Sequence, residues 1–449
     1  MTDGFYLVKT TSSKQSAQLA RLLRKKAGLS AGDPVTPVGA HRLLVTPEAA
    51  SAMGNTHTKF VSAMTSHGAV ELVELTDEHA VTLLAAREPS ELPFPKAKAA
   101  SPVVGDRCDW HLQAARVPGA WSQINGGNFD SIDWTGIKVG QIDTGFCEHP
   151  VLGWSGGSST TIDTGNDKNL FPGDFSLPTY SPDDAHDPLR GAPNAGHGTR
   201  TGSVLAGFSV MTQDATSMRG YFGAAPKVPY IPVRISDSIA ISHVQVPLAD
   251  AIKHLTNTGC RVITLSMGFP LIFIFGGGVQ SEVCDAINFA YDRGVIFVCA
   301  AGNIVRKVVA PAALGRTVAI AGSTSSDEAW TSSSRGLEVD VSAPAWPIYR
   351  ASVDMSGNPT FGFGDGTSFA TALVAGVAAL WLARHGQNIQ LTYALPWQVV
   401  AAFKKLLRDT ARTPSGWDTS QFGTGIVDAD ALLRAPLPLA PSLQKESPV

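Results

Sequence analysis

A serine that opens a helix can become a nucleophile. In the stretch Gly366-Thr367-Ser368-Phe369-Ala370-Thr371 the serine leads a long run of small and apolar residues through Leu373, Val374, Val377, Leu380 and Leu382. The first turn of a helix leaves backbone N–H groups unpaired and carries the positive end of the helix dipole. That setting favours a developing alkoxide or oxyanion. The same triplet also caps ordinary buried helices, so the chemistry needs partners elsewhere. Asp143-Thr144-Gly145 follows a compact apolar strand expected over 137–142, which puts a carboxylate at the carboxyl end of a strand; a plain strand-to-loop turn is the alternative. Gly196-His197-Gly198-Thr199-Arg200 sets an imidazole between glycines, ahead of an apolar helix through Val204 and Leu205. Glycine there lets backbones approach closely and leaves the ring uncrowded, although a surface-loop histidine fits the same residues.

Taken together the three are far more specific. A serine hydroxyl is a poor nucleophile until a histidine takes its proton, and the histidine needs a carboxylate to fix its tautomer and steady the imidazolium. The chain order Asp143, His197, Ser368 is that of subtilisin, unlike chymotrypsin or the α/β-hydrolases. On these motifs the chain resembles the subtilisin-like serine proteases, or subtilases. Ala300-Ala301-Gly302-Asn303 is similar to that family's oxyanion segment, which implies that Asn303 donates to the tetrahedral intermediate; by itself Asn303 reads as a helix or turn cap. The similarity extends over 109–433: Asp109-Trp110 through Gly119-Ala120-Trp121, Val341-Ser342-Ala343-Pro344, and Phe422-Gly423-Thr424-Gly425-Ile426-Val427-Asp428-Ala429. Leu265-Ser266-Met267-Gly268 looks like the family's edge strand, on which a substrate backbone would lie by β-augmentation, with Ala301 and Gly302 beside it. The resemblance therefore implies a serine endopeptidase acting on extended polypeptide segments.

Two departures stand out. The family usually places a proline near Thr371-Ala372-Leu373, and it commonly follows the histidine with an apolar pair where this chain has Arg200-Thr201-Gly202-Ser203. The second departure suggests a more polar rim near the histidine. Calcium loops are frequent in the family, but Asp163, Asp167 and Asp174 are scattered among glycines, so no cofactor is expected, with structural calcium left open for want of a clear ligand run. Residues 269–278, Phe-Pro-Leu-Ile-Phe-Ile-Phe-Gly-Gly-Gly, form an unusually apolar loop that would either pack in the core or line pockets for large apolar side chains.

The elements that must hold these residues follow from periodicity. From Asp109 onward, continuous apolar strands over 137–142, 228–233, 261–265, 295–300 and 318–322 alternate with helices over 247–257 and 279–293. This predicts an α/β fold with a mostly parallel sheet and helices on both faces, whose ligands bind at the carboxyl ends of the strands. Before it, 1–90 reads as a small α+β unit, with strands at 5–10, 42–46 and 70–75 and helices over 14–26 and from Pro47. By position and size it resembles a subtilase propeptide, implying an intramolecular inhibitor and folding aid. A Pro- and Ala-rich linker with a processing site is expected over 91–108, the catalytic domain over 109–435, and a disordered Pro-rich tail over 436–449.

Composition narrows the partners. Of 449 residues 16% are charged, below the roughly 25% usual in globular chains, and 44 are glycine, as a large core with close backbone approaches requires. A net charge of −3 without a basic stripe gives no footprint for nucleic acid. No apolar run near the start makes a Sec-type signal, and the tract 262–278 is broken by Pro270 and Gly276, short of a membrane span. A cytoplasmic protein with no membrane partner is expected, with export by a non-Sec route left open. Five cysteines lacking ligand spacing read as buried thiols. Two other functions remain: a non-catalytic peptide-binding or scaffold relative, and a processing protease dedicated to one partner polypeptide.

Overall fold

The computed structural model describes four strands within the first 108 residues and then residues 109–124, 132–190, 194–208, 223–241, 244–269, 279–303 and 306–449. Strands β1 (Gly4–Thr10), β2 (Val35–Pro37), β3 (Arg42–Val45) and β4 (Val70–Asp77) pair antiparallel in the order β2-β3-β1-β4. Three of them match the expected strands. β2, a short run through Pro37, was not anticipated. The helices expected over 14–26 and from Pro47, and the linker over 91–108, lie outside the described residues.

The second unit is built on one sheet. Strands β5 (Val139–Asp143), β6 (Lys168–Asn169), β7 (Tyr230–Arg234), β8 (Val262–Leu265), β9 (Ile296–Ala300), β10 (Val318–Thr324) and β11 (Val341–Trp346) lie in the order β11-β10-β9-β8-β5-β7-β6, every neighbouring pair parallel. Successive side chains of a strand point to opposite faces, and both faces here are apolar. Val262, Ile296, Val298, Val318 and Ile320 enter one core; Ile263, Leu265, Phe297, Cys299 and Ala319 enter the other. Helices α1 (Gln245–Asn257) and α2 (Ser281–Asp292) cover the second face. The first face is covered by α3 (Thr367–Thr392), flanked by α4 (His197–Ala206).

Helix α3 is apolar all round, as a helix in the middle of a core must be: Thr367 through Leu382 are all buried. By length and composition it could cross a membrane, yet 89% of its most apolar window is buried inside the protein. Where the family's proline is missing, the helix runs on without a break, and the Thr371 hydroxyl donates back to the Thr367 carbonyl at 2.7 Å. Gly376 lets α3 come close to its neighbour, since a Cβ there would lie 2.7 Å from that of Ala224.

The tail corrects an expectation. Residues 436–449 are ordered, because α2, Arg316 and Tyr393 supply hydrogen-bond partners that composition alone cannot reveal. Tyr393 donates to Pro438 O, Arg316 donates to Glu446 O and Ser447 O, the Tyr291 hydroxyl accepts from Glu446 N, and Asn288 bonds both the N and O of Val449. Prolines that limit the freedom of the unfolded chain also lower the cost of laying it down.

Candidate active site

Register brings the singled-out residues to one edge. Asp143 is the last residue of β5, Leu265 the last of the adjacent β8, and Ala300 the last of β9. Ile142 pairs with Leu265 and Leu265 with Cys299, so the segments after these strands emerge side by side.

His197 is the first residue of α4, and its Nδ1 lies 2.7 Å from Asp143 Oδ1. Both side chains are almost fully buried, at 1% and 2% exposure. The local sequence makes this contact. Gly196 caps the helix at φ 74°, a conformation glycine adopts without penalty. Gly198 lies so close to the turn after β5 that a Cβ would fall 1.9 Å from Gly145 O. With Asp143 as a carboxylate, Nδ1 is the donor, which leaves the lone pair on Nε2. Asp143 Oδ1 also accepts from Thr144 N at 2.7 Å, and Oδ2 accepts from the Thr201 hydroxyl at 3.1 Å.

Ser368 is the second residue of α3 and is 3% exposed. Its hydroxyl donates to Ser266 O at 3.2 Å, while the Ser266 hydroxyl donates to Ser368 O at 3.0 Å. Asn303 approaches the same helix start: its Oδ1 accepts from Thr367 N and from the Thr367 hydroxyl, both at 2.8 Å. This fixes the amide, and its Nδ2 lies 3.5 Å from where a Cβ on Gly366 would stand.

The expected substrate strand needs revision. Leu265 closes an interior strand, flanked by β5 and β9, and its side chain is buried in the core with that of Met267. Gly268 already uses its N–H and C=O on Ile239 and Ile241. Ala301 is spent likewise on Ile320 and Val309. What remains next to the helix start is Ser266, through its bonds to Ser368, and Gly302, whose N–H donates to the Thr367 hydroxyl at 3.2 Å. A continuous apolar run identifies the strand, but the sheet order that makes it interior is set by residues far away in the chain. Of the apolar loop over 269–278 only Phe269 is described, and it is a core residue.

The polar rim expected at Arg200-Thr201-Gly202-Ser203 is instead turned inward: all four are buried in α4. Sequence reading also missed the groups behind Asp143 and His197. Asp187 accepts from the Thr144 hydroxyl at 2.9 Å and from Gly196 N at 2.7 Å, linking the residue after Asp143 to the one before His197. Arg234, closing β7 as the register partner of Asp143, donates to Asp174 through Nε at 2.6 Å and Nη2 at 3.2 Å, and through Nη1 to Thr144 O. A lone arginine ending an otherwise apolar strand was the available signal. Asp163 and Asp167 are engaged as well, with Lys138 and Ala185 N respectively. Among the described residues, no group of three or more His, Cys, Asp or Glu could hold a metal ion.

Burial tunes the neighbouring titratable groups. It pushes the Cys147 thiol up to about 12, with help from the Asp187 carboxylate, so this thiol stays protonated and is no rival nucleophile. His149 is held neutral: burial lowers it to about 4 although its ring bonds the Thr360 carbonyl. Its folded value lies below the ordinary 6.5, so the unfolded chain binds the proton first. Stability is then full above pH 6.5 and declines as pH falls toward 4, by on the order of 3 kcal/mol. Asp167, raised to about 6 by burial, works in the opposite sense, since its contribution is lost as pH rises. The measurement is therefore a difference: urea unfolding of His149→Gln and wild type between pH 7 and 4 should show the variant losing less stability on acidification.

Comparison with known proteins now decides the family. The Subtilase family model matches residues 135–425, well over half of the chain. The chain belongs to the subtilase family. It is 30% identical over 329 residues to an extracellular protease of Xanthomonas campestris pv. campestris, a match covering 68% of this chain and 53% of that protein. To thermitase of Thermoactinomyces vulgaris it is 30% identical over 278 residues, covering 62% of this chain and 82% of thermitase. The chain thus spans about half of the first relative and most of the second. A protease of Pseudoalteromonas arctica PAMC 21717 shares its fold with a TM-score of 0.56 at 23% identity, over 73% of this chain and 96% of that one. The α/β expectation holds, and by class this subtilase is a serine endopeptidase with polypeptide substrates. One relative's name is extracellular, which is in tension with the cytoplasmic expectation.

Proposed function

We propose that this subtilase hydrolyses peptide bonds with Ser368 as nucleophile, His197 as general base and then acid, Asp143 as the group that orients His197, and Asn303 as oxyanion donor. The observation that carries this reading is the buried Asp143–His197 pair at the sheet edge where Ser368 opens α3. Nε2 takes the hydroxyl proton as the oxygen attacks the carbonyl carbon. Negative charge on the former carbonyl oxygen is received by the Asn303 amide and the Ser368 N–H, at the positive end of the helix. Collapse returns the proton from His197 to the leaving amine, and water repeats the sequence on the acyl enzyme. A fluorophosphonate probe should label the wild-type chain and leave Ser368→Ala unlabelled; equal labelling of both would refute the assignment.

Residues 1–90 act in this proposal as an intramolecular inhibitor, attached through the segment 91–108. Their support is a four-stranded antiparallel sheet ahead of the catalytic unit. Mass spectrometry of active enzyme should find a cut within residues 86–105, and full activity in an uncut chain would overturn the zymogen reading.

A further inference from the structure

We propose that Thr201, braced by Gln141, is a positioning residue for Asp143: its hydroxyl holds the outer carboxylate oxygen and so sets how Asp143 presents itself to His197. The inference rests on the protease reading above and adds a residue to it. Asp143 Oδ1 serves His197 Nδ1 and Thr144 N. Oδ2 has one hydrogen bond among the described residues, from Thr201 Oγ1 at 3.1 Å.

That hydroxyl has a single proton and three acceptors in reach: Asp143 Oδ2, His197 O at 3.1 Å and Gly198 O at 3.2 Å. Both carbonyls lie in the first turn of α4 and take the N–H four residues on, as helix carbonyls do. Gly198 O accepts in addition from Gln141 Nε2 at 2.9 Å. The carboxylate is charged, and a charge-assisted bond is about twice as strong as a neutral one. The proton therefore goes to Asp143. Gln141 completes the geometry: its Nε2 also donates to Thr201 Oγ1 at 2.8 Å, filling a lone pair of the hydroxyl and turning its proton toward the carboxylate.

The arrangement is enclosed. Thr201 and Gln141 are 1% and 2% exposed, so water cannot substitute for a lost donor. Gly202 provides the room, since a Cβ there would stand 3.0 Å from the Tyr230 hydroxyl and 3.2 Å from Gln141 Oε1. The titratable and charged groups facing Asp143 are His197 on α4, Tyr230 and Arg234 on β7, Cys147 in the loop after β5 and Asp187 in the segment after β6. Of the groups that hydrogen-bond Asp143, only Thr201 can be exchanged for a residue of its own shape that lacks the hydrogen bond.

The test compares Thr201→Val with Thr201→Ser in the full chain, following peptide hydrolysis against pH together with thermal unfolding. Thr201→Val should lower kcat by ~10-fold to ~100-fold, the loss expected for one buried bond to a charged group, with KM little changed. A carboxylate stripped of a donor is more basic and favours the imidazolium, so the acidic limb of kcat/KM should move to higher pH. Thr201→Ser should restore both. A Val variant with wild-type kcat and an unmoved limb would overturn the proposal, as would a Ser variant that fails like Val. A lowered melting temperature with unchanged kcat would also overturn it, by making the role structural. A wild-type chain that neither turns over peptide nor takes the fluorophosphonate label would remove the protease reading itself, and this inference with it.

Discussion

Ser368→Ala is expected to lower kcat/KM for peptide hydrolysis by on the order of 10⁴- to 10⁶-fold, with KM nearly unchanged. That magnitude is carried over from subtilisin, itself a member of this family. In the proposed mechanism the hydroxyl, the imidazole and the carboxylate act as one unit, so removing any one of them leaves the others without a task. His197→Ala should therefore fall about as far as Ser368→Ala, and the double variant hardly further. Asn303→Ala should behave differently, losing ~10²- to 10³-fold, because in the proposed mechanism Asn303 is one of at least two donors to the oxyanion. Again that figure derives from the corresponding family asparagine. Thr367 donates to Asn303 Oδ1 through both its N–H and its hydroxyl, so the amide is held in place before charge develops. Stopped-time assays on a chromogenic peptide decide the point. A Ser368→Ala loss no larger than that of Asn303→Ala would show that the serine is one contributor among several and not the nucleophile.

The parts legible in the sequence were those whose signals are local. Strand β5, read at 137–142 and found at Val139–Asp143, is a mainly apolar run, interrupted at Gln141 and ended by a carboxylate; helix α3 announces itself by small residues after a glycine. The pairing of Asp143 with His197 could be foreseen because the motifs around the two residues, their order in the chain and the chemistry a serine nucleophile needs all indicated it. What stayed hidden is what depends on contacts between distant segments. Leu265 reads as any apolar strand residue, and only the order of seven strands makes β8 interior. Thr201 reads as a polar step on a helix; its burial depends on how closely α4 sits against β5, which Gly198 permits. Gln141 did carry a signal, an uncharged polar side chain in the middle of an apolar strand, which needs a buried partner. The tail over 436–449 looked unable to bury enough apolar surface, and its order comes from groups of α2 and Arg316 waiting on the body of the protein.

Arg234→Met is expected to destabilise the catalytic unit by about 3–5 kcal/mol. Arg234 and Asp174 are each 1% exposed and face one another through Nε and Nη2. Taking a guanidinium and a carboxylate out of water is costly, and their mutual attraction roughly offsets that cost only while both are present. Burial alone lowers the Arg234 pKa, whereas the Asp187 and Asp237 carboxylates work to raise it. With methionine in place the side-chain volume is nearly kept, but Asp174 retains only Asn169 Nδ2 and the partly exposed Arg190. Thr144 O, next in sequence to Asp143, also loses a donor, so turnover should fall along with stability. Urea unfolding should show a lower midpoint with an unchanged slope, as expected when the native state is weakened and the surface exposed on unfolding is the same. Adding Asp174→Leu should recover part of the loss, because a site with neither charge has nothing left uncompensated. If the double variant proved no more stable than Arg234→Met, the loss would come from the Thr144 and Ser236 carbonyls that Arg234 also serves, and the ion pair would not be what holds this corner of the sheet beside Asp143.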